Sequence, residues 1–316
     1  MIAATDDFEL ARCAVAVRTA APNLRDVEPL TLVERDADLL IVRTAGDERF
    51  HLPLSERGAN AAGAQTRLLP FLRGHVEPTL PQPAWESGPS DEAPFGLWGQ
   101  RNLPGVPLSI ETVPDRLIPR VAGSIATFLL GLHRFPVKQA QGLAVPGLRA
   151  WRQHLGEAGH EGLPPLRREL SFSEFGRLRR WWRSFTADDR NWSDEPTLVH
   201  GDLRPGDLLV DPEQTELVAV DGFQSAALGD PAIDFAGLVR YTGAEFSWRV
   251  VDAYRRGGGR IGADVLRRVR LLGTAVSVRA AARAARNDDA AALAMIAAEL
   301  RAGPVLGAPP QGPRSG

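Results

Sequence analysis

The sequence is short of several features, and each shortage excludes a class of protein. Cys13 is the only cysteine in 316 residues, which excludes an internal disulfide and a multi-cysteine zinc site. No apolar run approaches the roughly 18 residues of a membrane-spanning helix, and the acidic N-terminus has no apolar signal core. Neither sign of charge is in excess, because 37 basic and 39 acidic residues give a net charge of −2. We therefore expect a cytoplasmic protein that binds neither membranes nor nucleic acid.

Lysine is also almost missing. Of the 37 basic residues only Lys138 is a lysine, and all the others are arginines. The simplest interpretation of most of this imbalance is codon bias towards arginine and alanine. Any chemistry that requires a lysine amine must still use Lys138 or do without it.

Local patterns divide the chain into a β-rich first part and a helical second part. Three short apolar segments separated by polar turns predict an antiparallel meander, and apolar residues at helical spacing follow. The predicted elements are a helix at 5–20, strands at 30–34, 38–44 and 49–54, and helices at 55–74, 111–136, 171–189 and about 245–302. We expect a small lobe at 1–98, a larger helical lobe at 99–303 and a disordered tail at 304–316.

A charged segment interrupts an apolar stretch late in the chain. Residues 198–211 read LVHGDLRPGDLLVD, and the strand that follows the next turn ends at Asp221. This succession of strands and loops predicts that Asp202, Asp207 and Asp221 lie together at strand ends. Mg²⁺ prefers one or two carboxylates together with substrate phosphates. Phosphoryl transfer needs a base, metal ligands and a cation on the moving phosphate, and the segment contains candidates for each.

Two loops carry a resemblance to known proteins. HGDLRPGD resembles the catalytic loop, and AVDGFQSAALGDPAIDFA the metal-binding loop, of the aminoglycoside phosphotransferase and choline kinase-like family. LGLHRFP and RNLPGVPLS match two further motifs in the right order, and the lead-in WSDEPTLVHGDL is most similar to the macrolide phosphotransferase branch. The resemblance is strong from about 95 to 245 and weak in the first lobe.

The resemblance implies a fold and a set of roles. The fold would be α+β and two-lobed like a protein kinase, with a β-rich N-terminal nucleotide-binding lobe and a larger, mostly helical lobe for catalysis and substrate binding. Asp202 would be the catalytic base, and Arg204 would face the transferred phosphate. Asp207 and Asp221 would bind Mg²⁺. The phosphate donor would be ATP or GTP, and the acceptor a small hydroxylated molecule.

Three positions depart from the family pattern. Asp207 stands where the family has Asn, although the macrolide branch also departs there. His51 stands where Lys or Arg holds the nucleotide phosphates, and Gln65 stands where the Glu partner of that cation is expected. Arg49 shares a strand face with His51 and is a candidate to take over the phosphate contact.

These departures leave two hypotheses. The first is an active O-phosphotransferase that uses a nucleoside triphosphate and Mg²⁺ on an antibiotic, such as a macrolide or an aminoglycoside, or on a metabolite. The second is a pseudokinase that keeps the fold to bind a ligand or partner with little or no turnover. The intact Asp202 and Asp221 favour the first hypothesis.

The arginine-rich face at 267–286 is expected to be solvated. The helical part has no clear acidic stripe, which disfavours a polycationic aminoglycoside as the acceptor. The acceptor, the choice of ATP or GTP and the oligomeric state stay open.

Overall fold

Two lobes are joined by a short connection between two strands. The computed structural model of the protein describes residues 2–35 and 37–307. The strands are β1 (Thr31–Arg35), β2 (Leu39–Arg43), β3 (Arg49–Pro53), β4 (Pro83–Ser87), β5 (Leu97–Gln100), β6 (Val106–Pro107), β7 (Thr197–Val199), β8 (Leu208–Val210), β9 (Leu217–Val220) and β10 (Ala227–Gly229). The helices are α1 (Ile2–Ala20), α2 (Glu56–Leu72), α3 (Ile118–His133), α4 (Val137–Gly142), α5 (Leu148–Leu166), α6 (Phe172–Ala187), α7 (Ala232–Thr242), α8 (Ala244–Arg256), α9 (Ala263–Arg286) and α10 (Ala290–Ala302).

The first lobe is built on an antiparallel sheet with the strand order β1-β2-β3-β5-β4. The predicted meander is confirmed, and β1, β2 and β3 begin and end within one residue of the expected positions. The central strand β3 places His51 between Ile41 of β2 and Trp98 of β5. Helix α2 follows β3, and its N-cap is Ser55, whose hydroxyl accepts a hydrogen bond from Gly58 N.

The second lobe is mostly helical, and two short antiparallel ladders lie where it meets the first lobe. One ladder pairs β7 with β10, and the other has the order β6-β8-β9. The catalytic-loop motif lies between β7 and β8, and Asp221 follows the last residue of β9. The loops that join the strands of these two ladders therefore carry the acidic residues, and the helices of the second lobe pack behind them. The predicted division into a β-rich and a helical lobe is confirmed.

Helix α5 has no counterpart among the predicted elements. Its sequence contains glycines and two prolines, which disfavour a helix. The glycines allow two other helices to approach. A Cβ on Gly159 would lie 2.2 Å from Trp182 Nε1 of α6, and one on Gly162 would lie 2.0 Å from Val278 O of α9. Tertiary packing therefore outweighs the low local propensity.

Parts of the arginine-rich face and of the expected tail are buried. Arg268 on α9 is only 6% exposed, and its Nε donates to Asp230 Oδ2 over 2.5 Å. This part of the face is therefore buried, although it was expected to be solvated.

At the end of the chain, residues 304–307 form turns, and the Leu306 side chain packs into the helical core. This portion of the tail is folded onto the lobe, and residues 308–316 lie outside the described residues. No helix of the described part is long and apolar enough to span a membrane.

The pair of Arg268 with Asp230 gives a stability prediction. Asp230 is fully buried, so Arg268→Ala leaves an uncompensated charge in the core. We expect the free energy of unfolding to fall by about 3–5 kcal/mol in a urea titration. The exposed Arg270 lies on the same helix, and Arg270→Ala should change stability by less than about 0.5 kcal/mol. Equal effects of the two variants would contradict a structural role for the buried pair.

Candidate active site

The loops after β7 and β9 bring three carboxylates into one buried region. Asp202, Asp207 and Asp221 are 8%, 7% and 4% exposed. Asp221 N donates to Asp207 O over 2.9 Å, which ties the two loops together. His200 Nε2 lies 2.7 Å from Asp221 O, and because a carbonyl oxygen only accepts, His200 carries its proton on Nε2. His200 is therefore a structural link between the two loops.

Asp234 holds the backbone of the catalytic loop from behind. The amides of His200 and Gly201 donate to its two carboxylate oxygens over 3.1 and 2.9 Å. Gly201 has a φ of +84°, and a Cβ there would lie 2.3 Å from Ser225 O. The loop therefore requires glycine at this position. The contacts with Asp234 on one side and Ser225 on the other fix the backbone that leads to Asp202.

Three arginines surround one oxygen of Asp202. Arg283 Nη1 donates to Asp202 Oδ2 over 2.8 Å. Arg279 Nη2 and Arg204 Nε lie 3.6 and 3.9 Å from the same oxygen. Burial alone would raise the pKa of the Asp202 carboxyl, but the charges of these arginines outweigh it and hold the pKa well below its ordinary value. Asp202 is therefore an anion, and its Oδ1 makes no hydrogen bond with the described residues.

Arg204 connects the catalytic loop to the first lobe. Its Nη2 donates to Glu34 Oε2 on β1 over 3.0 Å, and its Nε donates to Asp207 Oδ2 over 3.2 Å. Burial opposes the charge on Arg204, but Asp207, Asp202 and Glu34 together raise its pKa. One guanidinium therefore neutralises anions from both lobes.

Arg49 makes the second connection between the lobes. Its guanidinium forms an ion pair with Asp221 Oδ2, and Gln100 Nε2 donates to Asp221 Oδ1 over 3.3 Å. Arg49 lies on β3 and Gln100 on β5, so both contacts cross from the first lobe. Arg49, the candidate for the phosphate contact, therefore lies beside Asp221, which is predicted to bind Mg²⁺.

His51 and Gln65 lie close to this region but do not bond to each other. The His51 ring stacks on Trp98 with a centroid distance of 4.1 Å and an interplanar angle of 9°. Neither nitrogen of His51 has a hydrogen-bond partner among the described residues, and the same holds for Gln65 Nε2. The two residues do not form the charged clamp of the family pattern, and the cation that reaches Asp221 from the same strand is Arg49.

The carboxylates of Asp207 and Asp221 have the chemistry that Mg²⁺ requires. No group of three His, Cys, Asp or Glu side chains within residues 2–35 and 37–307 could hold a metal ion by itself. Two carboxylates are sufficient when phosphate oxygens and water complete the shell. A Cβ on Gly222, where φ is +81°, would lie 2.6 Å from Asp207 Oδ1, so only glycine lets this carboxylate lie against the Asp221 turn. Arg49 contacts Asp221 as a stand-in cation, and the residues therefore fit the ion.

Comparison with known proteins identifies the family. The model of the phosphotransferase enzyme family, APH, matches residues 32–272. The chain belongs to the phosphotransferase enzyme family. The family resemblance and the kinase-like, two-lobed fold expected from the loop motifs are thereby confirmed.

Solved structures of other phosphotransferases share this fold. The GDP and kanamycin complex of APH(2")-IIIa has a TM-score of 0.72 and 25% identity, with coverage of 92% of this chain and 97% of that one. The macrolide 2'-phosphotransferase MphH from Brachybacterium faecium, as the apoenzyme, has a TM-score of 0.59 and 26% identity, with coverage of 91% and 97%. The uncharacterized protein YcbJ of Bacillus subtilis (strain 168) is 31% identical over 84 residues, which span 27% of each protein.

Several residues of this phosphotransferase site were not predicted. Arg279 and Arg283 belong to the face of α9 that was expected to be solvated, yet their side chains are only 11% and 18% exposed. Their spacing of four places them on one side of the helix, which is the one signal that the sequence offers. Glu34 and Gln100 had no motif around them. Their roles depend on how the two lobes meet.

The buried His51 predicts a pH effect on stability. Burial lowers the pKa of His51 from 6.5 to about 4, so the folded protein keeps the ring neutral. Above pH 6.5 the ring is neutral in both the folded and the unfolded chain, so its burial costs no stability. As the pH falls towards 4, the unfolded chain takes up a proton that the folded protein does not, and the free energy of unfolding falls by up to about 3 kcal/mol. Urea titrations of the wild type and His51→Gln between these pH values should show a shallower acid loss in the variant. His160→Gln, at an exposed position, should keep the wild-type slope. Parallel slopes for all three proteins would contradict this assignment.

Proposed function

We propose that the protein is a nucleoside triphosphate- and Mg²⁺-dependent O-phosphotransferase that acts on a hydroxyl of a small molecule. The observation that carries this proposal is the arrangement of Asp202 beside Arg204, with Asp207 and Asp221 on adjoining loops between the lobes. A fixed anion, a cation and a pair of metal-binding carboxylates are the parts that phosphoryl transfer needs. The structural relatives with GDP and kanamycin, and with macrolide 2'-phosphotransferase activity, support the same reaction class.

Asp202 orients the acceptor in this reaction. The three arginines contact Oδ2, so Oδ1 is available to accept a hydrogen bond from the substrate hydroxyl. The hydroxyl oxygen attacks the γ-phosphorus, the bond to the β-phosphate oxygen breaks, and the hydroxyl proton passes to Asp202. Because its pKa is lowered, Asp202 is a weak base, and it acts chiefly by orientation with proton transfer late in the step.

Arg49 and Arg204 supply positive charge to the phosphates. Each is paired with carboxylates of the site, and phosphate oxygens are equivalent partners for a guanidinium fork. Mg²⁺ held by Asp207 and Asp221 would neutralise charge on the β- and γ-phosphates. An ion held at Asp221 would take the place that the Arg49 guanidinium occupies there, and Arg49 would then be available to the nucleotide phosphates.

The same ion pairs favour a second candidate function. A pseudokinase would keep Arg49 on Asp221 and Arg204 on Asp207, because these pairs satisfy the buried charges without any ligand. The neutral His51 and unpaired Gln65 also favour loss of nucleotide binding. Nucleotide binding and turnover distinguish the two functions, and the following variants measure each in turn.

Asp202→Asn tests the catalytic role. The variant keeps the side-chain shape but loses the anion, so we expect the transfer rate to fall by about 10²- to 10⁴-fold while nucleotide affinity changes little. The measurement is phosphotransfer from ATP and from GTP to panels of antibiotics and metabolites. Asp252→Asn, at an exposed position on α8, serves as the control and should retain full activity. Turnover by Asp202→Asn at the wild-type rate would overturn the assignment.

Asp221→Ala tests the metal-binding role. We expect nucleotide to raise the melting temperature of the wild type only with Mg²⁺, because the ion would replace Arg49 at Asp221 and leave that arginine to the phosphates. Asp221→Ala should lose the Mg²⁺-dependent part of this shift. Asp211→Ala, at a turn carboxylate outside the site, should retain it. No shift of the wild type with millimolar ATP or GTP and Mg²⁺ would reject the enzyme in favour of the pseudokinase.

A further inference from the structure

A chamber lies between α2 of the first lobe and α5 of the second, and the reaction described above does not use it. Its volume is about 460 Å³, within the range of roughly 300–1,000 Å³ that is typical of small-molecule sites. Gln224, Ser225 and Ala226, in the loop after Asp221, form part of its wall. The chamber is thus bordered by both lobes and by the metal-binding loop.

Apolar side chains form much of the wall. Ala61 and Ala62 line the chamber from α2, and Ala150 and Trp151 line it from α5. The lining arginine, Arg57, already forms ion pairs with Asp38 and Glu157. An occupant would therefore gain free energy mainly by burying apolar surface.

Two amide groups supply polar contacts in this apolar chamber. Gln65 lines it and is only 5% exposed, and its Nε2 has no hydrogen-bond partner among the described residues. Gln224 also lines it, and its buried Oε1 is unpartnered in the same part of the chain. Leaving a buried polar atom without a hydrogen-bond partner costs free energy. A carbonyl or ether oxygen near Gln65 and a hydroxyl near Gln224 would recover this free energy.

The chamber adjoins the cleft at Asp202. Arg57, His154, Gln224 and Ser225 line both spaces. Ser225 also lies beside the catalytic loop, because Arg279 donates to Ser225 Oγ over 3.3 Å and to Gly201 O over 2.6 Å. A molecule seated in the chamber can therefore extend towards the catalytic aspartate.

We propose that the chamber binds the body of the phosphate acceptor, and that the acceptor is a largely apolar molecule with hydroxyl and carbonyl or ether groups. Its apolar part lies between α2 and α5, its oxygen functions contact Gln65 and Gln224, and the hydroxyl to be phosphorylated extends to Asp202. The transfer step rests on the proposed function. Binding in the chamber does not, and it is tested separately.

Filling the chamber from either wall tests the binding site. The probe is the apolar dye 1-anilinonaphthalene-8-sulfonate, titrated by fluorescence against the wild type, Ala61→Phe and Ala150→Phe. We expect each filled variant to bind the dye at least 10-fold more weakly. Ala294→Phe on α10 makes the same change at an exposed position and should bind like the wild type. Circular dichroism and melting temperature identify a variant that does not fold, and the other wall then provides the test. Wild-type dye affinity in the folded filled variants, or no dye binding to the wild type, would overturn the inference.

Displacement of the dye then tests the chemistry of the acceptor. Erythromycin, an apolar ring with hydroxyl and carbonyl groups, should displace the dye from the wild type, and kanamycin, a polycation, should not. Displacement by kanamycin alone would overturn the inference even if phosphotransfer is found. Displacement by erythromycin with no nucleotide-dependent melting shift would instead reject the proposed function and leave the chamber assignment intact. Where transfer is observed, Ala61→Phe should raise the KM for erythromycin at least 10-fold and retain the nucleotide shift.

Discussion

Neutralisation of buried charge between the lobes is the constraint on which the site depends. A carboxylate removed from water costs several kcal/mol unless a cation and hydrogen bonds compensate. The carboxylates and arginines of the cluster are equal in number: Glu34, Asp202, Asp207 and Asp221, with Arg49, Arg204, Arg279 and Arg283. Two of these ion pairs join one lobe to the other, so the charge balance and the relative position of the lobes are set together.

Arginine is suited to this balance in a way that lysine is not. A planar guanidinium can donate to two acceptors in different directions, and it keeps its charge when buried. Arg204 contacts Glu34 and Asp207, and Arg283 contacts Asp202 and the hydroxyl of Tyr241. The near absence of lysine therefore does not leave the site without cations. It changes their geometry, because Arg49 reaches Asp221 while His51 is free to stack on Trp98.

The parts of the site that could be predicted from the sequence are those fixed by local spacing. The loop motifs place Asp202, Asp207 and Asp221 through the strands on either side, and the link from His200 to Asp221 follows from the same segment. The meander of the first lobe is likewise a pattern of short apolar strands and polar turns. Such features depend on neighbouring residues in the chain, and a single sequence shows them.

The remaining features depend on contacts between distant segments. Arg279 and Arg283 are separated from Asp202 by about 80 residues, and apart from their spacing of four nothing on α9 distinguishes them from the exposed arginines nearby. Helix α5 was missed because glycines that permit close packing with α6 and α9 lower its helix propensity. The unpredicted arginines and the unpredicted helix belong to the same region, since α5 and α9 line the cleft that reaches Asp202. The acceptor side of the site is therefore the part that a single sequence reveals least.

The arginines beside Asp202 also affect which molecules can approach it. Two like charges 4 Å apart repel by about 4 kcal/mol at an effective dielectric constant near 20. Arg279, Arg283 and Arg286 line the cleft, and a cationic acceptor must come close to them. Glu157 and Glu161 line it too, but they form ion pairs with Arg57 and Arg286. The arginines are paired as well, since Arg279 and Arg283 lie beside Asp202 and Arg286 pairs with Glu161. Charge is therefore largely balanced in the cleft, and the apolar walls of the adjoining chamber are what favour an apolar acceptor.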